Sequence, residues 1–276
     1  MSWCALDVQS PPETRAAVAT WLVSRTGQAV EERDDGMLVS FAESEVEAGS
    51  LLGELHSAFG ETVAGTARTL PDVDWSRRWR EGLGPRVIGR LTVTPSWAVP
   101  QDSGPGTVVI DPETAFGTGE HGSTRTALTL LDRYLKPGSR VLDLGSGSGI
   151  LAIAAVKLGA ARATGIEVDP EVEPIAAANV ARNGVEDRVS CLTGDAATLA
   201  PLLAPADLIL SNILRSVNET LLPLIRGCLD REGIAIFAGM EGSERLLFLA
   251  ALESAGLAVV DEATDGEWWG VAARAA

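Results

Sequence analysis

The alternation of hydrophobic and polar residues predicts a small α+β domain over the first seventy residues. Residues 3–9 (WCALDVQ) alternate as a strand does, and residues 11–25 open with proline and then carry apolar side chains at helical spacing. Two strand patterns flank Asp35-Gly36, a hairpin signal. An amphipathic helix pattern over Glu45–Phe59 and a last strand pattern in residues 61–70 complete an order typical of ferredoxin-like domains.

From Val108 onward, short β-rich runs alternate with helical patterns, which predicts an α/β fold with a doubly wound, Rossmann-like parallel sheet. The residues between the two patterns, 71–97, are rich in tryptophan and arginine and read as an ordered connector that leads into a strand, RLTVTPSW. We therefore expect an α+β domain at residues 1–70, a connector at 71–100 and the larger domain at 101–276.

Composition and charge narrow the function. No apolar run is long enough to span a membrane, and the N-terminus lacks the pattern of a signal peptide. Cys4, Cys191 and Cys228 are too far apart for a disulfide framework or a metal site, so we expect a cytoplasmic protein without metal. The net charge of −16 argues against direct nucleic-acid binding. It suits a basic partner, although acidic charge also simply keeps a protein soluble.

The loop in VLDLGSGSGI (141–150) indicates the cofactor. Gly145, Gly147 and Gly149 lie between a predicted buried strand and a helix, where glycine lets the backbone approach a ligand closely. A dinucleotide fingerprint would need glycine at Ile150, and no Walker lysine follows. The D-x-G-x-G-x-G spacing instead resembles that of class I S-adenosylmethionine-dependent methyltransferases.

Polar residues at the ends of the next strands support this interpretation. Glu167 lies 22 residues after Gly145, where a carboxylate can accept hydrogen bonds from both ribose hydroxyls. Asp195 follows the third strand and is placed to reach the adenine amino group. Asn212 ends the fourth strand, where its amide can serve an incoming amine and the cofactor; a turn-capping role is the alternative.

Four blocks of the chain together resemble the ribosomal protein L11 methyltransferase family, PrmA: DPETAFGTGEHGSTRTAL (111–128), the glycine loop, GIEVDP and SNIL. The resemblance implies that the first block forms a lid and one wall of the cofactor site. In that block Phe116 supplies an apolar face, Gly119 lets the backbone fold over the cofactor, and Thr118 and Thr124 offer hydroxyls. Thr124, Gly145, Glu167 and Asn212 match the family's cofactor contacts.

This chain departs from the family pattern beside those positions. Glu120, Gly122 and Ser123 replace residues that are usually threonine, proline and threonine, and Ser211 replaces the usual alanine, which leaves the choice of target open. A catalytic base is one interpretation of His121, but we expect this residue to fix its own loop by hydrogen bonds. Of Trp268 and Trp269, we expect one in the core. For the other, a place in the core and a place in the channel for the target lysine are both left open.

The resulting expectation is an S-adenosylmethionine-dependent protein methyltransferase. By resemblance, it acts on lysine side chains of ribosomal protein L11, with the N-terminal amine as a further candidate. The small N-terminal domain would recognise the substrate, Gly147 and the other glycines would hold the cofactor, and Asn212 would act in catalysis. We expect a monomer. The alternatives are a methyltransferase for another protein lysine or a small amine, and a non-catalytic binding protein for ribosome assembly.

Overall fold

The computed structural model describes residues 3–26, 30–33, 36–70, 83–111, 117 and 119–276. The chain divides into two compact units, Met1–Gly82 and Leu83–Ala276. Of the connector predicted at residues 71–100, positions 71–82 lie outside the described residues, and positions 83–100 belong to the second unit. The predicted site residues Phe116 and Thr118 also lie outside the described residues, as does Asp35 of the predicted hairpin turn.

The first unit has the predicted order of strands and helices. Its four strands form an antiparallel sheet in the order β2-β3-β1-β4, which is the ferredoxin-like arrangement. Its core lies between the sheet and the two helices, where Leu6, Leu22 and Leu55 are fully buried. The elements are β1 (Cys4–Gln9), α1 (Pro12–Thr26), β2 (Glu31–Glu32), β3 (Leu38–Ala42), α2 (Glu45–Phe59) and β4 (Ala64–Thr69).

The second unit begins with a three-stranded sheet, in which β6 pairs antiparallel with β5 and parallel with β7. A seven-stranded sheet follows, in the order β10-β9-β8-β11-β12-β14-β13, with all pairs parallel except the two that β14 makes. The strands are β5 (Arg86–Ile88), β6 (Leu91–Thr94), β7 (Thr107–Val109), β8 (Arg140–Leu144), β9 (Arg162–Glu167), β10 (Val189–Thr193), β11 (Ala206–Asn212), β12 (Leu229–Glu241), β13 (Leu257–Asp265) and β14 (Trp268–Ala275).

Helices cover this sheet on both faces and form two separate cores, which confirms the predicted doubly wound fold. The chain runs from β8 to β10 on one side and then returns to β11 on the other. Such a reversal opens a crevice at the carboxyl ends of the two central strands. The helices are α3 (Gly122–Tyr134), α4 (Ile150–Lys157), α5 (Glu173–Arg182), α6 (Ala196–Leu203), α7 (Arg215–Cys228) and α8 (Arg245–Ser254). No helix in the described part of the chain is long and apolar enough to cross a membrane.

The structure adds a helix that the sequence pattern did not predict. The resemblance implied a lid and one wall of the cofactor site for residues 111–128, and within this block Gly122–Tyr134 begins as a helix, α3, whose first turns are buried. Glycine, serine and threonine are weak helix formers, so the local sequence gives little helical signal there. Burial of Ser123, Thr124 and Leu128 against the sheet outweighs that weak propensity.

Candidate active site

A cavity of about 680 Å³ opens at the carboxyl ends of the central strands β8, β9 and β11. Five of the predicted site residues line it together: Gly145, Gly147, Glu167, Asp195 and Asn212. They come from four separate segments of the chain, spread over nearly seventy residues, and they meet because parallel strands bring their carboxyl ends to one edge. These five predicted residues therefore occupy a single place in the fold.

The glycine-rich loop forms one wall of this cavity. Gly145, Gly147 and Gly149 have φ angles of 72°, 51° and 79°, a region that side chains disfavour. A Cβ added at Gly145 would lie 2.6 Å from Cγ2 of Ile213, which lines the cavity as well. The loop is fixed to the next strand, since the amides of Gly145 and Ser146 both donate to the carbonyl of Ile166. Glycine at this position thus lets the side chain of Ile213 pack directly against the backbone of the loop.

Glu167 ends β9 with its carboxylate held by the backbone. Oε2 accepts from the amide of Gly147 at 3.0 Å, and Oε1 accepts from the amides of Val168 and Asp169 at 2.9 and 3.2 Å. Each carboxylate oxygen has more than one lone pair, so these bonds orient the group without exhausting it. About one acceptor site of the carboxylate, on Oε2, is thus left for a ribose hydroxyl of the cofactor.

Asp195 lies at the cavity edge as the N-terminal cap of α6. Its Oδ1 accepts from the amide of Ala197 at 3.0 Å, which fixes the side chain beside Gly194 and Ala196 in the cavity lining. The placement is compatible with the expected contact to an adenine amino group.

Asn212 is the last residue of β11 and is held by α3. Its Nδ2 donates to Oγ1 of Thr124 at 3.4 Å, so Thr124, which is fully buried and does not line the cavity, orients the amide from behind. The Oδ1 atom of Asn212 is buried and has no hydrogen-bond partner among the described residues. A buried acceptor without a partner is costly, so its place in a cavity wall points to a ligand.

Two glycines of the first signature block have different positions. Gly117 lines the cavity, and its carbonyl accepts from Oγ of Ser148 at 2.5 Å. Gly119 lies outside the lining: a Cβ there would be 2.7 Å from Cγ1 of Val93 and 3.6 Å from Cδ1 of Ile150. Gly119 therefore serves a close packing of the backbone against β6 and α4.

His121 and Trp268 form a wall that sequence reasoning only partly anticipated. Nδ1 of His121 is 2.7 Å from Oγ of Ser123, and its ring centroid is 4.1 Å from that of Trp268. Burial is the main cause that lowers the pKa of His121. The neutral ring thus suits the loop-fixing role. Trp269 is the core tryptophan, and Trp268 faces the cavity.

The apolar residues Leu214 and Val217 of the cavity lining were missed. They are 71% and 45% exposed, and they lie shortly after Asn212 along the chain. Their position shortly after the end of a predicted strand is the sequence feature that could have predicted them as lining residues. They supply an apolar rim at the mouth of the cavity.

Two departures from the family pattern, Glu120 and Ser211, make side-chain contacts to residues outside the cavity lining. Glu120 forms a two-pronged ion pair with Arg86 of β5. Ser211 donates to Oδ1 of Asn218 at 2.7 Å, and both residues are buried. Gly122 lies against Trp268, since a Cβ there would be 2.4 Å from its Cδ1. Gly122 thus adjoins a residue of the cavity lining, and the fourth departure, Ser123, lines the cavity itself.

The strand order, the glycine loop and the acidic end of β9 define a class I S-adenosylmethionine-dependent methyltransferase. Within that class the chain belongs to the ribosomal protein L11 methyltransferase (PrmA) family, whose model matches residues 13–276. In the described part of the chain, no group of three metal-ligating side chains could hold an ion.

Individual relatives agree with this assignment. The ribosomal protein L11 methyltransferase of Pelotomaculum thermopropionicum is 38% identical, over 78% of this chain and 70% of its own. That of Thermus thermophilus is 41% identical, over 71% of this chain and 76% of its own. The crystal structure of ribosomal protein L11 methylase from Lactobacillus delbrueckii subsp. bulgaricus has a TM-score of 0.63 and 29% identity, over 70% of this chain and all of that one.

Proposed function

We propose that this protein transfers a methyl group from S-adenosylmethionine to amino groups of ribosomal protein L11. The targets are lysine side chains, with the N-terminal amine as a further candidate. The cofactor supplies a methyl group on a positively charged sulfur. In the transfer, the amine nitrogen forms a bond to carbon as the carbon–sulfur bond breaks, the sulfur becomes a neutral thioether, and the amine loses its proton to solvent.

The observation that carries the proposal is the unpaired Oδ1 of Asn212. Asn212 lines the cavity, and its Oδ1 would accept an N–H of the incoming amine while Thr124 holds the other end of the amide. Positioning of this kind supplies much of the rate in a displacement reaction, because a transfer to a neutral amine needs alignment more than a strong base.

The apolar wall supports the same chemistry. Leu214, Val217 and Trp268 line the same cavity as Asn212. An ammonium group that leaves water for such surroundings loses its proton more easily, since burial disfavours the charged form. The wall therefore favours the neutral amine, which is the form that can attack the methyl group.

The first unit is proposed as the part that recognises the substrate. A small-molecule acceptor needs no separate domain, and the unit has its own sheet and its own hydrophobic core. We further propose a monomer that acts in the cytoplasm, to which its free cysteines are suited, and that binds neither membranes nor nucleic acid directly, in keeping with its charge of −16.

The test is intact-mass spectrometry of purified ribosomal protein L11 after incubation with the protein and S-adenosylmethionine. We expect a gain in whole methyl steps, reduced at least about a hundredfold in rate in Asn212→Ala. Asn183→Ala is the matched control, because Asn183 is a buried asparagine that does not line the cavity. No gain with the wild-type protein, with cofactor binding confirmed by calorimetry, would reject L11 as substrate and favour another target or a non-catalytic role.

A further inference from the structure

Two buried polar residues outside the cavity lining, Ser148 and Asn179, connect parts of the site that are far apart in sequence. Ser148 lies within the glycine-rich loop and is 2% exposed, and Asn179 lies in α5 and is 1% exposed. Neither residue is among those that line the cavity. Neither is accounted for by the contacts proposed for cofactor or amine.

Ser148 links the glycine loop to the first signature block. Its hydroxyl donates to the carbonyl of Gly117 at 2.5 Å, across 31 positions of sequence. Gly117 has a φ of 99°, and a Cβ there would lie 2.9 Å from Oγ of Ser148, so the contact depends on glycine at that position. Because Gly117 and the glycine loop both line the cavity, this bond fixes the distance between two of its walls.

Asn179 links the same loop to the start of that block. Its Nδ2 donates to the carbonyl of Ser148 at 3.0 Å. Its Oδ1 accepts from the amide of Asp111 at 3.4 Å and from Nη1 of Arg182 at 2.5 Å. Arg182 in turn pairs with the carboxylate of Asp111 at 3.2 Å. Asp111 and Gly117 are thus both tied to the glycine loop through Ser148.

We infer that Ser148 and Asn179 are positioning residues for the cofactor, which set the spacing between the glycine loop and Gly117. Every hydrogen-bonding atom of the Asn179 side chain is directed at one of these connections, and the group is buried. Loss of either link would let the two walls move apart, so the cost would fall on cofactor affinity. The inference rests on the proposed function, since it assumes that the cavity takes S-adenosylmethionine.

Asn183 provides a matched control, because it lies one helical turn after Asn179. Its Oδ1 accepts from the amide of Val109 at 2.9 Å, and its Nδ2 donates to the carbonyls of Val109 and Asn179 at 2.7 and 2.8 Å. It is 8% exposed and equally rich in hydrogen bonds, but it makes none to the glycine loop. A purely structural effect should therefore appear in both variants.

The experiment measures S-adenosylmethionine affinity by calorimetry and transfer to L11 by mass spectrometry, for the full-length wild-type protein and for Asn179→Ala, Ser148→Ala and Asn183→Ala. We expect Asn179→Ala and Ser148→Ala to weaken cofactor affinity about tenfold, the effect of losing one buried hydrogen bond. The KM for L11 and the kcat at saturating cofactor should change less than about twofold, which separates positioning from general damage.

Three outcomes would decide the question. Unchanged cofactor affinity in both Asn179→Ala and Ser148→Ala overturns the inference, as does an equal loss in Asn183→Ala. Ser148→Ala removes a single hydroxyl and keeps the inference testable if Asn179→Ala does not fold. Absence of cofactor binding in the wild-type protein would instead reject the proposed function, which is a different result from normal binding in all the variants.

Discussion

Two buried side-chain oxygens that lack a hydrogen-bond partner among the described residues have different consequences. Oδ1 of Asn212 and Oδ1 of Asp143 are both buried without a partner among the described residues. Asn212 lines the cavity, whereas Asp143 is fully buried in β8, where its Oδ2 accepts from the amide of Ala152 at 3.1 Å. Burial raises the pKa of Asp143 to about 7, and the nearby Glu167 contributes in the same direction.

The raised pKa of Asp143 predicts a pH-dependent stability. The folded protein keeps a proton that the unfolded chain releases near pH 4, so this contribution to stability is complete below about pH 4 and is lost as the pH rises through about 7. The free energy of unfolding of Asp143→Asn, relative to that of the wild type, should increase by about 2–3 kcal/mol as the pH rises from 5 to 8. Urea unfolding at each pH measures it. Asp102→Asn, at an exposed carboxylate outside the core, serves as the control variant. A difference in unfolding free energy between Asp143→Asn and wild type that stays the same at every pH would contradict the raised pKa.

Gly145 permits a second prediction, with Gly138 as its control. Both glycines have a positive φ, 72° and 85°, but only a Cβ at Gly145 meets another atom, Cγ2 of Ile213 at 2.6 Å. Each alanine variant should lose about 1 kcal/mol of stability from backbone strain. Only Gly145→Ala should also weaken S-adenosylmethionine binding, by about tenfold or more, because it displaces a cavity wall. Equal affinities in the two variants, by calorimetry, would show that the loop tolerates a side chain.

Asn218 connects helix α7 to the strands β11 and β12, and this connection predicts an effect on the stability of the fold. This fully buried residue of α7 donates to the carbonyls of Ile213 and Ala238, beyond the end of β11 and within β12, at 3.0 and 3.2 Å. Asn218→Ala leaves these carbonyls unpaired, and we expect a loss of about 2–3 kcal/mol in urea unfolding. Thr220→Ala, exposed on the same helix, should stay within about 0.5 kcal/mol. A loss below 1 kcal/mol for Asn218→Ala would mean that water replaces the bonds.

Which elements could be predicted depended on how far local pattern and tertiary environment agreed. The strands β8, β9 and β11 carry apolar runs that end in Gly145, Glu167 and Asn212, so their place at one sheet edge followed from the sequence. Helix α3 was missed because its glycine, serine and threonine residues become helical only through burial. The roles of Trp268 and of Thr124 depend on contacts across 88 or more positions, which no local pattern contains.

The whole molecule carries 38 acidic and 22 basic residues, and this excess bears on how a protein substrate arrives. In the cofactor site, Glu167 is held by short-range hydrogen bonds from backbone amides, which salt screens little. The approach of a basic protein to an acidic surface is a long-range effect, which salt screens strongly. The salt concentration should therefore affect the binding of L11 much more than the binding of S-adenosylmethionine.

If the acidic surface attracts L11, the KM for L11 should rise by roughly tenfold between 0.05 and 0.5 M salt, as the Debye length falls well below 10 Å. The KM for S-adenosylmethionine, measured in the same assays, should change less than about twofold, and it serves as the internal control. Parallel increases in both constants would indicate a general effect of salt on the fold. A salt-independent KM for L11 would mean that recognition depends on shape and apolar contacts, and that the charge serves solubility alone.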